Sequence, residues 1–316
     1  LCRLGAARQA LCMSSSALLR AAEQPVPVSP SRATDQLTGL ALGGVAVAAF
    51  SLTMPMTRLA LRDLDPISVA TGRAALAATL ALPLLLARRA RWPGWPLALR
   101  LAGVGLCVAV GFPITIAWAM QEGSASQAGL VLGLAPMATA AFAALRYGET
   151  RRARFWWMSA AATLTVVAFA RHHGGGALQP SDALLLAAVG FTAVGYGSGA
   201  QLTRELPSVE VIAWAVLLVA PLTVPWALFA LREQHSLPGL PAMGGLVYVG
   251  TISQLLAFVP WYTGLARGGV TTVSQVQLLQ PFLTFLGAAW LVGESLPMTL
   301  WGFGGLVALF VWLGRR

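Results

Sequence analysis

Long apolar runs separated by short polar gaps fill the chain after Leu37. Each run has the roughly 20 residues that a helix needs to cross the hydrocarbon core of a bilayer. The runs lack the period-2 alternation of membrane strands, and backbone groups in lipid must be satisfied within their own segment. The pattern therefore predicts an all-α membrane protein with ten transmembrane helices, at approximately 37–57, 67–87, 98–119, 126–145, 155–170, 182–203, 210–231, 242–263, 271–292 and 298–314.

One pattern occurs twice, at an offset of 145 residues. In the fourth run Pro136 lies 13 residues before Glu149, and in the ninth run Pro281 lies 13 residues before Glu294. Further matches at the same offset are Gly123 with Gly268, Thr139 with Thr284, Ala143 with Ala288, Gly148 with Gly293, and Trp156 with Trp301. So many matches at one offset indicate a duplicated unit.

The glycine-rich linker 171–180 divides the apolar runs into two halves of five, 37–170 and 181–316. Five is an odd number, so the two copies must enter the membrane in opposite senses. The sequence thus predicts two inverted five-helix repeats. Such repeats recur in secondary transporters, where the substrate site lies near the midplane between the halves.

Composition supports a lipid environment, with 57% hydrophobic and 10% charged residues, against roughly 25% charged in soluble domains. The net charge of +10 comes entirely from arginine. A basic chain can bind nucleic acid, but these arginines lie in short gaps and form no basic stripe on a polar domain. We therefore expect the partners to be a lipid bilayer and a small-molecule substrate, with no nucleic acid; the fold also allows a homodimer.

Arginine also predicts the orientation. With the N-terminus inside, sixteen arginines fall on the inner side and four on the outer side, and Arg73 lies within a run. Cytoplasmic loops of membrane proteins carry such an excess of positive residues. The prediction is a multi-pass protein of the cell membrane with both termini in the cytoplasm.

Residues 1–36 differ from the rest, because they are Arg-rich and Ser-bearing and contain no sustained apolar run. A segment of this kind resembles an organelle transit peptide. The preferred alternative is a disordered cytoplasmic tail with Met13 as the true start, since the sequence begins at Leu1.

Three stretches resemble the EamA-type members of the drug/metabolite transporter superfamily. They are ISVATGRAAL around Arg73, APMATAAFAALRYGET in the fourth run and QPFLTFLGAAWLVGES in the ninth. The ten-run layout over 37–314 resembles that family as well. The resemblance implies a ten-helix bundle and, commonly, metabolite efflux. Relatives that carry sugar phosphates or nucleotide sugars look lysine-dependent, and this chain has no lysine. This difference argues against a phosphate translocator, unless an arginine takes the place of the lysine.

Pro136 and Pro281 are candidates for the substrate path. A proline inside a helix removes an amide donor and clashes with the carbonyl four residues earlier, here that of Leu132 or Gln277. A freed carbonyl in a membrane needs a neighbour, a water or a cavity. The duplicated kink favours cavity lining, and the alternative is a packing kink of the kind common in membrane helices.

The ninth run carries a small or weakly polar face, formed by Ser274, Gln277, Pro281, Thr284 and Ala288. Such faces also mediate ordinary helix packing in lipid. Packing does not explain Gln277, whose equivalent in the fourth run is Leu132. The second half contains several glutamines in its apolar runs, namely Gln254, Gln275, Gln277 and Gln280. Amides in hydrocarbon need partners, so we expect some of these side chains to face water or a ligand.

Arg73 lies six residues into the second run, roughly 9 Å below its outer start. A buried arginine is costly and usually faces protein or a water-filled path. It can offer a fork to an anionic substrate group. The alternatives are snorkelling to the interface and an ion pair with Asp63, Asp65 or Glu122.

Other polar and aromatic residues are assigned more simply. Glu149 and Glu294 are predicted to be structural, because each ends one helix and is followed by a good N-cap residue. Trp118, Trp261 and Tyr262 are predicted to wall the cavity, with a membrane-interface belt as the alternative. The glycines of GYGSG, residues 195, 197 and 199, are close-packing positions.

No catalytic motif or metal-ligand spacing occurs, so an enzyme, a metal and a cofactor are not expected. The sequence predicts a secondary transporter that exports small amino-acid-like or amphipathic metabolites by alternating access between the halves. The rival is a membrane-embedded enzyme or receptor-like protein that acts on lipid, and it needs a catalytic group near an interface.

Overall fold

Helix accounts for most of the residues that the computed structural model describes, which are 30–147, 152–173, 179–234, 237–268 and 273–315. No strand forms within these ranges. Each apolar run satisfies its backbone donors and acceptors internally, as lipid requires. The predicted all-α class is confirmed.

We label the helical segments in chain order. They are α1 (Pro30–Ser51, continued by Thr53–Ala60), α2 (Pro66–Ala87), α3 (Trp95–Glu122), α4 (Ala125–Leu132, continued by Ala135–Tyr147), α5 (Ala153–His173), α6 (Pro180–Leu202), α7 (Ser208–Glu233), α8 (Leu240–Gly268), α9 (Ser274–Leu279, continued by Gln280–Val292) and α10 (Met298–Arg315). Seven of these, α1 to α4 and α6 to α8, are long and apolar enough to cross a membrane, and α9 and α10 are apolar but shorter. The chain is therefore a multi-pass membrane protein.

The segments begin and end at identifiable caps. Asp65 accepts hydrogen bonds from the amides of Ile67 and Ser68 at 2.8 and 3.0 Å, with Pro66 in the first turn of α2. Ser124 caps α4 in the same way. Gly293 closes α9 with φ 74°, a left-handed conformation that favours glycine.

Segment pairing follows a regular scheme across the two halves. Three pairs join segments five positions apart: α2 with α7, α4 with α9, and α5 with α10. The other main contacts come in pairs, and the two contacts of a pair are interchanged when each segment is replaced by the one five positions away. The contact of α3 with α6 matches that of α8 with α1. The contact of α4 with α6 matches that of α9 with α1, and the contact of α3 with α7 matches that of α8 with α2.

Glycines allow the closest approaches between segments. A Cβ at Gly105 of α3 would collide with the carbonyl of Ala215 in α7. A Cβ at Gly199 would collide with the Tyr262 hydroxyl, and one at Gly195 with Val108. The GYGSG glycines thus act as the close-packing positions that the sequence predicts.

Five segments depart from regular α-helix in their interior. α1 has a turn at Leu52, α3 a π-helical stretch at Leu106–Gly111, and α8 another at Tyr248–Leu256. α4 is interrupted before Ala135, and α9 opens with a 3₁₀ turn. Backbone of this kind occurs at membrane depth where it is buried in protein or lines a cavity.

The two repeat prolines lie at these interruptions. Pro136 and Pro281 occupy the first turn of the second part of α4 and α9, where the missing amide does no harm. The prediction that Pro281 leaves the Gln277 carbonyl free is wrong. This carbonyl accepts a hydrogen bond from the Gln280 amide, which caps the 3₁₀ turn.

Residues 36–316 form one compact unit. Residues 1–29, which make up most of the predicted tail, lie outside the described ranges, and so do linker residues 174–178. The helical backbone begins at Pro30, ahead of the predicted start of the first span at 37.

Candidate functional site

A cavity with about 380 Å³ of space, part of it open to solvent, lies among six segments. Its lining comes from three segments before the linker and three after it. The residues are Phe50, Thr53 and Met54 of α1, Arg73 of α2, Val108 and Phe112 of α3, Thr192 and Tyr196 of α6, Ser253 and Phe258 of α8, and Gln280 of α9.

The cavity coincides with the irregular backbone of the bundle. Thr53 follows the turn in α1, Val108 lies in the π stretch of α3, and Ser253 in that of α8. Gln280 begins the second part of α9. π-helical turns are frequent at functional sites, so the backbone and the cavity indicate the same place.

Arg73 is the charged residue of this lining, with 2% of its surface exposed. Its Nη2 donates to Ser253 Oγ at 3.3 Å, and that oxygen lies 2.8 Å from Thr53 Oγ1. The guanidinium carbon lies 5.9 Å from the centre of the Phe112 ring. The Nε–H has no partner in the described part of the chain, so Arg73 retains donor capacity for a ligand.

The predicted carboxylate partners of Arg73 are engaged elsewhere. Asp63 accepts from the Gly239 amide at 2.7 Å, Asp65 caps α2, and Glu122 is exposed at the end of α3. No described carboxylate pairs with Arg73. The side chain is also too deeply buried to snorkel, so both alternatives to a ligand-facing arginine fail.

The predicted glutamines separate into three roles. Gln280 lines the cavity. Gln254 is fully buried and donates to the Val108 carbonyl at 3.0 Å, so it joins the π stretches of α8 and α3. Gln277 is buried, at 5% exposure, but does not belong to this lining; the side chain of Gln275 lies outside the described residues.

The predicted aromatic wall lies one layer behind the cavity. Trp261 packs against the lining residues Phe50 and Tyr196 with ring centres 6.3 and 5.6 Å apart. Tyr262 is fully buried and donates to the Gly195 carbonyl at 3.3 Å. Trp118 is 46% exposed on the outside of α3 and does not take part, which fits the interface-belt alternative.

The remaining candidates of the fourth and ninth runs lie at helix contacts. Thr284 donates to the Ser51 carbonyl at 3.0 Å and packs on Gly129 of α4. Pro281 lies against Gly133. Pro136 is buried and is not part of the lining. These residues hold α1, α4 and α9 together behind the cavity.

Glu294 has a structural role that links the two halves. Its carboxylate accepts from the amides of Ala125 and Ser126 at 2.7 and 3.0 Å and from Ser126 Oγ at 2.7 Å. A carboxylate at a helix N-terminus satisfies unpaired amides and matches the helix dipole. Glu294 thus caps α4 rather than its own neighbouring helix. Glu149 lies outside the described residues.

A model of the EamA-like transporter family matches residues 37–171 and 179–314, one stretch on each side of the linker. The chain belongs to the EamA-like transporter family. It is similar to a protein of Bacillus subtilis (strain 168) named "Uncharacterized transporter YdeK", with 40% identity over 274 residues, or 87% of this chain and 96% of that protein.

The fold of this chain is also found among solved structures. One, titled "Crystal structure of protein", matches with a TM-score of 0.60 and 21% identity over 90% of this chain and 98% of that one. At this identity the match concerns the fold. The family and the Bacillus protein are transporters, which indicates a membrane transporter rather than an enzyme.

Most residues of this cavity could not be recognised from the sequence. The hydroxyls of Thr53, Thr192 and Ser253 lie on three segments with no common spacing, and isolated hydroxyls are ordinary in membrane helices. One signal was available, since Ser253 and Val108 are related by the 145-residue offset. The aromatic residues Phe50, Phe112 and Phe258 carry no sequence mark that separates them from lipid-facing ones.

Proposed function

We propose that this EamA-like chain is a secondary transporter that exports small amino-acid-like or amphipathic metabolites by alternating access. The observation that supports it best is a buried arginine that faces a cavity shared by both halves. A buried charge without an oppositely charged protein partner is costly, and an anionic ligand group offsets that cost. Arg73 would bind this group, while the apolar lining would enclose the rest of the molecule.

The proposed architecture is ten spans arranged as two inverted repeats. The paired packing scheme supports it, because exchange of the first five segments for the last five preserves the main contacts. The π stretches in α3 and α8, and the prolines at the interruptions of α4 and α9, are further matched features. In inverted-repeat transporters the substrate site lies between the halves, as the cavity does here.

Contacts between segment ends support spans that cross the membrane alternately. Arg100 and Glu205, both assigned to one side, form an ion pair at 2.7 Å. On the opposite side Arg58 binds the Met120 carbonyl, and Asp63 binds the Gly239 amide. The arginine excess on the side of Arg100 supports the proposal that this side is the cytoplasm and that both termini lie there.

Counterflow in proteoliposomes tests the proposal. Vesicles containing the purified protein are loaded with an unlabelled compound and diluted into the same compound carrying a radiolabel. The panel contains amino acids, carboxylates and neutral amphipathic compounds. We expect transient accumulation of at least one compound, absent from protein-free vesicles and strongly reduced by Arg73→Gln. No accumulation of any compound, together with turnover of the vesicle lipid, would favour a lipid-acting protein instead.

A further inference from the structure

We propose that the substrate is a small monoanion with an apolar body and no ammonium group, such as an amphipathic carboxylate, rather than a zwitterionic amino acid. This inference rests on the proposed transport function and concerns the chemistry of the same cavity. It follows from which charges the lining contains, which donors are free, and where the apolar surface lies.

The charge inventory is one-sided. Arg73 supplies a positive charge, and the described lining contains no carboxylate. All 11 acidic residues of the chain lie near the ends of apolar runs or in the N-terminal tail, so none comes from the middle of a run. An ammonium group in the cavity would therefore lack an ionic partner, and unpaired buried charges are strongly disfavoured.

A second positive charge would also meet repulsion from the first. In an α-amino acid the ammonium group lies one carbon away from the carboxylate, so it stays close to any guanidinium that binds the carboxylate. Like charges at such separations repel strongly when water is excluded. The face of an aromatic ring can also attract a cation. The Phe112 ring already has the Arg73 guanidinium 5.9 Å from its centre, so this ring is not free for the ammonium group.

The free donors fit a single oxyanion. Arg73 Nε–H is unpartnered, and planar guanidinium groups bind carboxylates with two parallel hydrogen bonds. The Ser253 and Thr53 hydroxyls, 2.8 Å apart, share one hydrogen bond beside Nη2, so one of the two can donate to the second oxygen. These groups come from α1, α2 and α8, so a bound anion contacts both halves.

Aromatic and other apolar side chains form much of the rest of the lining. Phe50 and Phe258 pack edge to face at 5.1 Å, and Tyr196 packs on Phe258 at 5.7 Å. Met54 adds a further apolar surface. Such a wall stabilises an apolar body by removing it from water but offers no counter-charge.

Three compounds with one carbon skeleton test the inference: 3-phenylpropionate, L-phenylalanine and 3-phenylpropionamide. Their binding to the full chain in detergent is measured by isothermal titration calorimetry. We expect 3-phenylpropionate to bind about tenfold or more tightly than the other two, because the amide lacks the charge-assisted bonds and phenylalanine adds an unpaired ammonium. Arg73→Gln should abolish this preference, and Arg100→Gln, at an exposed ion pair, should retain it.

Equal or tighter binding of L-phenylalanine, or of the amide, would overturn the inference, and so would binding of none of the three. The counterflow panel separates these failures from a failure of the transport proposal. Accumulation of amino acids without carboxylates would leave transport in place and refute the monoanion. Accumulation of nothing would refute transport itself.

Discussion

At the scale of single residues, the proposed function depends most on Arg73. This residue stands out in the sequence because it is a charge inside an apolar run, and such residues are rare and functional in membranes. The sequence could not show which partner it has, since Ser253 is 180 positions away. Nor could it place Gln280 rather than Gln277 in the cavity, because that depends on the 3₁₀ turn that begins α9.

Replacing Arg73 with glutamine should abolish transport without destabilising the protein. Removing a buried charge that has no carboxylate partner relieves a desolvation cost, so the melting temperature should stay the same or rise. Counterflow and thermal unfolding in detergent measure the two effects. Arg100→Gln is the control, with normal transport expected; a collapse of the melting temperature in Arg73→Gln would show that the arginine holds the fold.

Two glutamine substitutions separate recognition from packing. Gln280→Ala installs the residue that the first repeat has at position 135, and Gln277→Leu installs the one it has at 132. Because Gln280 lines the cavity, Gln280→Ala should lower the apparent substrate affinity by about fivefold to tenfold, the value of one hydrogen bond. Gln277→Leu should leave the apparent substrate affinity unchanged. A loss of affinity in Gln277→Leu but not in Gln280→Ala would show that Gln277, and not Gln280, contacts the substrate.

At the scale of elements, the sequence predicts the apolar segments well and their interior irregularities poorly. Proline spacing marks the interruptions of α4 and α9. The π stretches at Leu106–Gly111 and Tyr248–Leu256 contain ordinary apolar and polar residues, and their backbone depends on contacts such as the Gln254 bond to the Val108 carbonyl. Tertiary contacts of this kind are not visible in a local pattern.

The contact between α3 and α7 gives a matched pair of glycine substitutions. Gly105→Ala places a methyl group against the Ala215 carbonyl, and overpacking of a tight contact costs about 1–3 kcal/mol. Gly103→Ala, in the same segment, meets no atom within 4 Å and should be neutral or mildly stabilising. Thermal unfolding measures both, and equal melting temperatures would refute the tight α3–α7 contact.

Removal of the Glu294 carboxylate should destabilise the start of α4. Glu294→Ala leaves the amides of Ala125 and Ser126 without their acceptor, which should cost about 1–2 kcal/mol, as for other helix caps. The exposed Glu122 provides the control, and Glu122→Gln should leave the melting temperature unchanged. In a double-mutant cycle Glu294→Ala and Ser126→Ala should be non-additive, since the two side chains share a hydrogen bond; strict additivity would contradict the cap.

At the scale of the whole molecule, the duplicated unit explains the packing. A repeat with an offset of 145 residues predicts that equivalent contacts occur in pairs, as α3 with α6 and α8 with α1 do. The repeat also predicts a site between the halves, but the residues that line the cavity could not be predicted in the same way. Its polar groups lie where the copies differ: Arg73 has Leu218 and Gln280 has Ala135 at the repeat offset. A comparison of the two repeats detects the positions that they share, so it does not detect a substrate site built from positions at which they differ.

In the proposed transport cycle the Arg73 cavity opens to the two sides of the membrane in turn. The most direct measurement is modification of Ser253→Cys by a membrane-impermeant maleimide, in a chain whose Cys2, Cys12 and Cys107 are replaced by serine. The reagent is applied to sealed vesicles either outside or enclosed within. We expect modification from each side, and protection from both by a transported compound. Modification from one side alone, or from neither, would contradict alternating access at this cavity.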